Sequence, residues 1–199
     1  MKIIEPSVEI IDTLDYNAML RKIELCGRVC YKSEDNITQD SAERFVGTLI
    51  RRGHESVLEH VSFTVRFVCD RGVSHEIVRH RLASYSQEST RYCNYGDGLT
   101  FVWPAAPASA EWFTVTGHAE RKYMRMIQSG CTPEQARDVL PTCVKTELVM
   151  TANLREWRHF LRLRLAPAAH PQMRKVAGML YDQVSAQLPA FFEDISREG

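Results

Sequence analysis

Seven residues, Val61-Ser62-Phe63-Thr64-Val65-Arg66-Phe67, alternate strictly between apolar and polar side chains. A strand points successive side chains to opposite faces, so Val61, Phe63, Val65 and Phe67 share one side. Ser62, Thr64 and Arg66 share the other. Such a strand belongs to a sheet with one covered face, and other parts of the chain must supply the cover.

Helical patterns supply it. Tyr16 to Val29 reads as a helix with Met19, Leu20 and Ile23 on one face. Thr38 to Arg52 reads as a second, with Phe45, Val46, Leu49 and Ile50 inward and Gly53 placed to end it. Ser56-Val57-Leu58-Glu59 matches a capping box and predicts a short turn. After the strand, Asp70-Arg71-Gly72 reads as a turn, and Ser74 to Leu82 as a helix with Ile77 and Val78 inward. Tyr92 to Pro107 reads as loop with at most a short strand at Thr100 to Trp103. Glu111 to Ser129 is helical and Gly130 stops it. Thr132-Pro133-Glu134-Gln135 starts a helix that ends near Leu140-Pro141. Val144 to Thr151 suits a strand, and Asn153 caps a helix to about Leu165. His170-Pro171 opens the last helix, with Val176, Ala177, Leu180, Tyr181, Val184 and Leu188 on its face. The expected fold is α+β: several helices around a small antiparallel sheet, in a single domain over residues 1–199.

Charge and cysteine usage narrow the function classes. The 25 Lys and Arg balance 25 Asp and Glu, which argues against a protein that coats nucleic acid. No apolar run is long enough to span a membrane, and Met1 to Pro6 carries no signal pattern. The expected location is cytoplasmic. Cys26, Cys30, Cys69, Cys93, Cys131 and Cys143 form no CxxC pair, so they read as reduced thiols, mostly buried.

Four features carry chemistry. The first is Arg79-His80-Arg81, followed by the hydroxyl- and amide-rich run Ser84 to Tyr92. Consecutive helical residues diverge by about 100°, so the three cannot serve one ion, but they can grip several groups of a large ligand. A solvated polar connector is the alternative. The second is Arg164, which falls on the apolar stripe of Trp157, Phe160, Leu161 and Leu165, whereas Arg158 and Arg162 lie elsewhere and can reach water. A buried guanidinium without a partner costs several kcal/mol, so a ligand or an internal glutamate should meet Arg164 unless it snorkels out. The third is Arg137, a cation near the start of the helix capped by Thr132, where an anion would be favoured. The fourth is His54-Glu55. The HExxH zinc pattern fails because Leu58 stands at the fifth position, which leaves His54 as a ligand-positioning candidate and implies no metal. Walker A, GxGxxG and GxSxG patterns are absent.

Arg79-His80-Arg81, seven residues and then Ser89 resembles the RHR-x7-S motif of flavin-dependent thymidylate synthases, the ThyX family. The flanking blocks agree in order and spacing: Gly53-His54-Glu55-Ser56, Ala83-Ser84-Tyr85, Ser89-Thr90-Arg91-Tyr92, Ala136-Arg137-Asp138-Val139-Leu140-Pro141, Thr151-Ala152-Asn153-Leu154-Arg155 and Leu163-Arg164. The resemblance implies a homotetramer with FAD sites shared between subunits. It implies methylation of dUMP to dTMP, with 5,10-methylenetetrahydrofolate as one-carbon donor and NADPH reducing the flavin. On the cofactor side it places Ser56, Arg79, His80, Arg81, Gln87, Asn153, Arg155 and His159, with His54 near flavin or folate. On the dUMP side it places Glu76, Arg79, Gln87, Glu88, Ser89, Thr90, Arg91, Arg137 and Arg164. Arg164 is the expected catalytic residue, matching the arginine that ionises or polarises uracil N3. Gln87 stands where many relatives carry Glu, and His159 where some carry Asn; both still hydrogen-bond. No cysteine has an activating neighbourhood and Ser89 has no evident base, so Ser89 is expected to hold substrate rather than attack it. Two other readings stand beside this one: an RNA-binding helix built on Arg155, Arg158, Arg162 and Arg164, and a homologue that has lost its activity.

Overall fold

A computed structural model of the chain describes residues 1–197. Its centre is a four-stranded antiparallel sheet in the order β2 (Ser7–Ile10), β3 (Ser62–Asp70), β6 (Lys145–Asn153), β4 (Ala83–Gln87). A separate parallel pair joins β1 (Lys2–Ile4) to β5 (Thr100–Val102), and a bridge from Phe101 to Val144 ties it to the segment entering β6.

β3 carries out the expected alternation. Phe63, Val65 and Phe67 are fully buried, while Thr64 and Arg66 lie on the open face. There Thr64 and Thr151 share a hydrogen bond across the β3–β6 register, and Arg66 pairs with Glu147. The buried face packs against α1 (Tyr16–Val29), α2 (Ser41–Arg51), α6 (Leu154–Leu165), α7 (Pro171–Gln187) and α8 (Pro189–Phe192). Trp157 of α6 anchors this layer: its indole stacks on Phe63 at 5.1 Å and its N–H donates to the Phe63 carbonyl at 3.1 Å. A buried indole needs such a partner. A smaller cluster of Leu99, Phe101, Tyr123, Ala136 and Val144 forms under α4 (Ala110–Gln128) and α5 (Pro133–Ala136).

Several expectations change here. Asp70 does not open a turn. It ends β3 and caps α3 (Arg71–Ile77) at once, its carboxylate accepting from the Val73 N–H at 2.8 Å. The helix is therefore earlier and shorter than Ser74–Leu82. Ile77 is buried as expected, but Val78 lies beyond the last turn and is exposed. The stretch Ala83–Gln87 is not loop but strand β4, paired along β6. The helix from Pro171 is not the last, because α8 follows it. Asn153 does cap α6, accepting from the Glu156 N–H at 2.9 Å, and Thr132 and Gln135 form the expected capping box. Gly53 ends α2 at φ +71°, a backbone setting that favours glycine. The six cysteines are free thiols, with Cys69 buried and Cys30 exposed.

Candidate active site

The strand–helix junctions of β3–α3 and β6–α6 bring Glu76, His80, Glu156 and Arg164 together. Arg164 sits on the inward side of α6, as its spacing required, and an internal partner meets it. Its Nη1 donates to Glu76 Oε2 at 2.8 Å and its Nη2 to the Glu76 carbonyl at 2.7 Å. The third donor, Nε, points at His80 Nε2 at 3.1 Å. On the far side of the imidazole, Nδ1 lies 2.9 Å from Glu156 Oε1. Both His80 and Glu156 are buried. Burial holds the His80 pKa below the ordinary imidazole value and the adjacent Arg164 cation pushes the same way, against the pull of Glu156. The ring is therefore neutral at pH 7. The Tyr85 hydroxyl donates to the carbonyls of Ile77 and His80, and burial pushes its pKa up to about 12, so it stays a donor.

His159 is exposed, and its ring lies 5.4 Å from that of His80. His80, Glu156 and His159 are close enough to share a cation. The chemistry is unfavourable for one, because both His80 nitrogens are engaged and a guanidinium faces Nε2.

His54, Ser56 and Arg155 line one cavity of about 360 Å³ between α1, α2 and the turn Glu55–His60. Arg155 and His159, one turn apart on α6, are neighbours on its exposed edge, which runs from this cavity to the His80 cluster. Arg79 and Arg81 are exposed, and among the described residues neither is in an ion pair. Arg79 Nε donates to the His75 carbonyl. Two guanidiniums outside any ion pair among the described residues suit a ligand that carries a diphosphate. One chain does not close these groups around a single cavity.

Thr90 and Arg137 line a second cavity of about 230 Å³ with Arg71 and His75. Ser89 accepts from the Arg91 N–H, and the Arg91 side chain reaches Glu134 at 3.0 Å. Gln87 is turned into the fold, where its amide donates to Ser74 and Thr146. The Glu88 carboxylate accepts from the Tyr95 hydroxyl, Lys145 Nζ and the Glu147 N–H. These bonds hold the loop after β4.

Arg158 departs from expectation most. Its side chain is completely buried rather than facing water, and Glu55 at 3.0 Å and Asp194 at 2.7 Å clamp it. Its Nη1 also donates to the Phe191 carbonyl. Arg162 joins the same two carboxylates, Arg155 pairs with Glu59 and Arg164 with Glu76. All four arginines of α6 are thus matched by acids, which removes the cationic stripe that an RNA-binding helix requires. Glu156 is not among the sequence candidates, and Glu55 enters there only as part of the failed HExxH pattern, not as a partner of Arg158. The only signal for Glu156 was its place three residues after the capping Asn153.

Comparison with known proteins identifies the family. A family model described as thymidylate synthase complementing protein matches residues 12–190. The flavin-dependent thymidylate synthase of Geobacter sulfurreducens is 33% identical over 185 residues, covering 86% of this chain and 80% of that protein. The one from Pyrococcus furiosus is 33% identical over 184 residues, covering 88% and 74%. The solved structure of the UMP/dUMP methylase PolB from Streptomyces cacaoi, bound with 5-Br dUMP, superposes with a TM-score of 0.80 at 25% identity, covering 97% of this chain and 96% of that one. With a family model over residues 12–190 and relatives at 33% identity in agreement, the chain belongs to the family of flavin-dependent thymidylate synthases.

Proposed function

We propose that this chain, as one catalytic domain, methylates dUMP to dTMP. The observation that carries this reading is Arg164, held on three sides at the junction of α3 and α6 with its Nη1 edge against a carboxylate that a substrate imide can displace. A nucleotide bound along the exposed side of α3 sets its uracil against Arg164 and Glu76. Charge-assisted hydrogen bonds from Arg164 favour loss of the N3 proton, and each pKa unit moved is worth about 1.36 kcal/mol. The phosphate falls to the cavity of Thr90 and Arg137, with Ser89 and Arg91 beside it. Thr90 and Ser89 contribute neutral donors there, and Arg137 the charge. Glu88 lies on the same side and holds the loop in place there.

FAD fits the remaining groups: the His54, Ser56 and Arg155 cavity for one part and the unmatched Arg79 and Arg81 for its diphosphate. Asn153 sets the start of α6, and His80 and His159 line the approach. When bound, FAD supplies the hydride chemistry that no side chain here can supply. In the net reaction, 5,10-methylenetetrahydrofolate gives the methylene unit, NADPH gives the hydride, and tetrahydrofolate and NADP⁺ leave. The split of the cofactor groups over separate surfaces of one chain supports a homotetramer whose subunits complete each other's sites. A cytoplasmic location fits the free thiols and the absence, among the described residues, of a helix long and apolar enough to cross a membrane.

The test is a visible spectrum of purified protein given FAD, followed by anaerobic NADPH with and without dUMP. The expected result is a flavin band that bleaches, faster with dUMP present. A protein that takes up no flavin would contradict the reading.

A further inference from the structure

The reaction as described uses Arg164 and leaves the buried carboxylate of Glu156 without a role. We propose that Glu156 is a positioning residue that locks His80 in one tautomer, so that the imidazole holds Arg164 in its working orientation. This inference rests on the reading that Arg164 addresses the uracil.

The Nε of an arginine carries a single hydrogen and never accepts. Arg164 Nε lies 3.1 Å from His80 Nε2, so that nitrogen must present its lone pair. The ring proton of the neutral imidazole is then on Nδ1, where Glu156 Oε1 waits at 2.9 Å as acceptor. The opposite tautomer sets two donors against each other at Arg164 and a lone pair against a carboxylate at Glu156. It fails at both ends. Without Glu156 nothing else on the Nδ1 side chooses between them, since His159 meets the ring only edge-on and Glu76 is reached only through Arg164.

Glu156 itself is firmly placed. It is 6% exposed, and its N–H is capped by Asn153. It lies in the first turn of α6, where the helix dipole favours a negative charge. Tyr85 fixes the His80 backbone from the other side. With Nε tied to His80 and Nη2 tied to a backbone carbonyl, one bond is left to open toward substrate, that from Nη1 to the Glu76 side chain. The chain Glu156–His80–Arg164 therefore decides which edge of the guanidinium the nucleotide meets.

The test uses FAD-loaded enzyme labelled with ¹⁵N-histidine, with the His80 signals assigned from H80N. Long-range ¹H–¹⁵N spectra report which ring nitrogen holds the proton. Wild type should show Nδ1–H, and E156Q the same, because an amide oxygen also accepts. E156L leaves the Nδ1–H without an acceptor and only Arg164 to choose, so the preference should weaken and kcat for dTMP should fall about 10- to 100-fold, the scale of a misplaced catalytic group. E156Q should recover most of that loss, with FAD content alike in all three. An Nε2–H signal in wild type, or equal losses in E156Q and E156L, would overturn the proposal. An Nε2–H signal in wild type overturns the proposal even if E156L does not fold, and full activity with an unchanged spectrum in E156A would overturn it as well. Normal turnover by R164A would refute the role of Arg164 while leaving the tautomer result standing, so the two failures are distinguishable.

Discussion

Replacing Arg158 by methionine should destabilise the chain markedly. The guanidinium is fully buried and offers hydrogen bonds to Glu55, Asp194 and the Phe191 carbonyl. Methionine fills much of the volume but leaves two carboxylates and a carbonyl without their donor. Breaking a buried pair on one side costs about 3–5 kcal/mol. Arg162 still reaches both acids at 3.1 and 3.0 Å from a half-exposed position, so the lower end, about 3 kcal/mol, applies. In a chain of this length that is a drop in Tm of about 6–12 °C. The pH dependence follows from the carboxylates. In the native chain, against the cost of burial, the Arg162 and Arg158 contacts hold Glu55 below the usual carboxylate range, and those of Arg158 and Arg162 do the same for Asp194. Their contribution is complete above the unfolded carboxylate pKa values and is lost as pH falls through the lower folded ones. The gap between R158M and wild type should thus be full at pH 7 and should close below about pH 4, where the acids protonate. Thermal unfolding followed by circular dichroism at fixed protein concentration measures both. A loss under about 1 kcal/mol at pH 7, or a gap that widens in acid, would refute the reasoning.

Further outcomes concern the loops that carry the site. S89A removes one neutral hydrogen bond worth about 0.5–1.5 kcal/mol, so the KM for dUMP should rise about 2- to 10-fold while kcat persists. Complete loss of turnover with normal dUMP binding would show instead that the hydroxyl takes part in the chemistry. G53A puts a side chain at φ +71° where nothing lies within 4 Å of the new carbon, so its cost is conformational, about 1–2 kcal/mol. The Tm should fall by about 2–8 °C, and an unchanged Tm would contradict that assignment.

How far the sequence could be read depended on which forces set each element. β3 was legible because its pattern is local: four apolar residues, Val61, Phe63, Val65 and Phe67, alternate with polar ones and all four are buried. α1 was legible to the residue, since Asp15 caps it and its apolar face has period 3.6. β4 was not, because Ser84 and Ser86 face outward and only Ala83 and Tyr85 pack on the core. Its strand character comes from pairing with β6, some sixty residues away in sequence. Asp70 misled because one carboxylate serves equally as a turn residue and as a helix cap. Arg164 announced itself by standing on an apolar stripe. Arg158 did not, since its burial depends on α8 closing over a second face of α6, and its acids come from Glu55 and Asp194. Glu156 hid for a related reason: its partner His80 is 76 residues distant, and no spacing rule reaches that far.

The central claim is that Arg164, not a covalent nucleophile, prepares the uracil for methylation. The most direct measurement is chromatography of the products from wild type and R164A, loaded equally with FAD and given dUMP, 5,10-methylenetetrahydrofolate and NADPH without oxygen. The account predicts dTMP from wild type and, from R164A, a flavin still reduced by NADPH with almost no dTMP. Comparable dTMP from both proteins would contradict it.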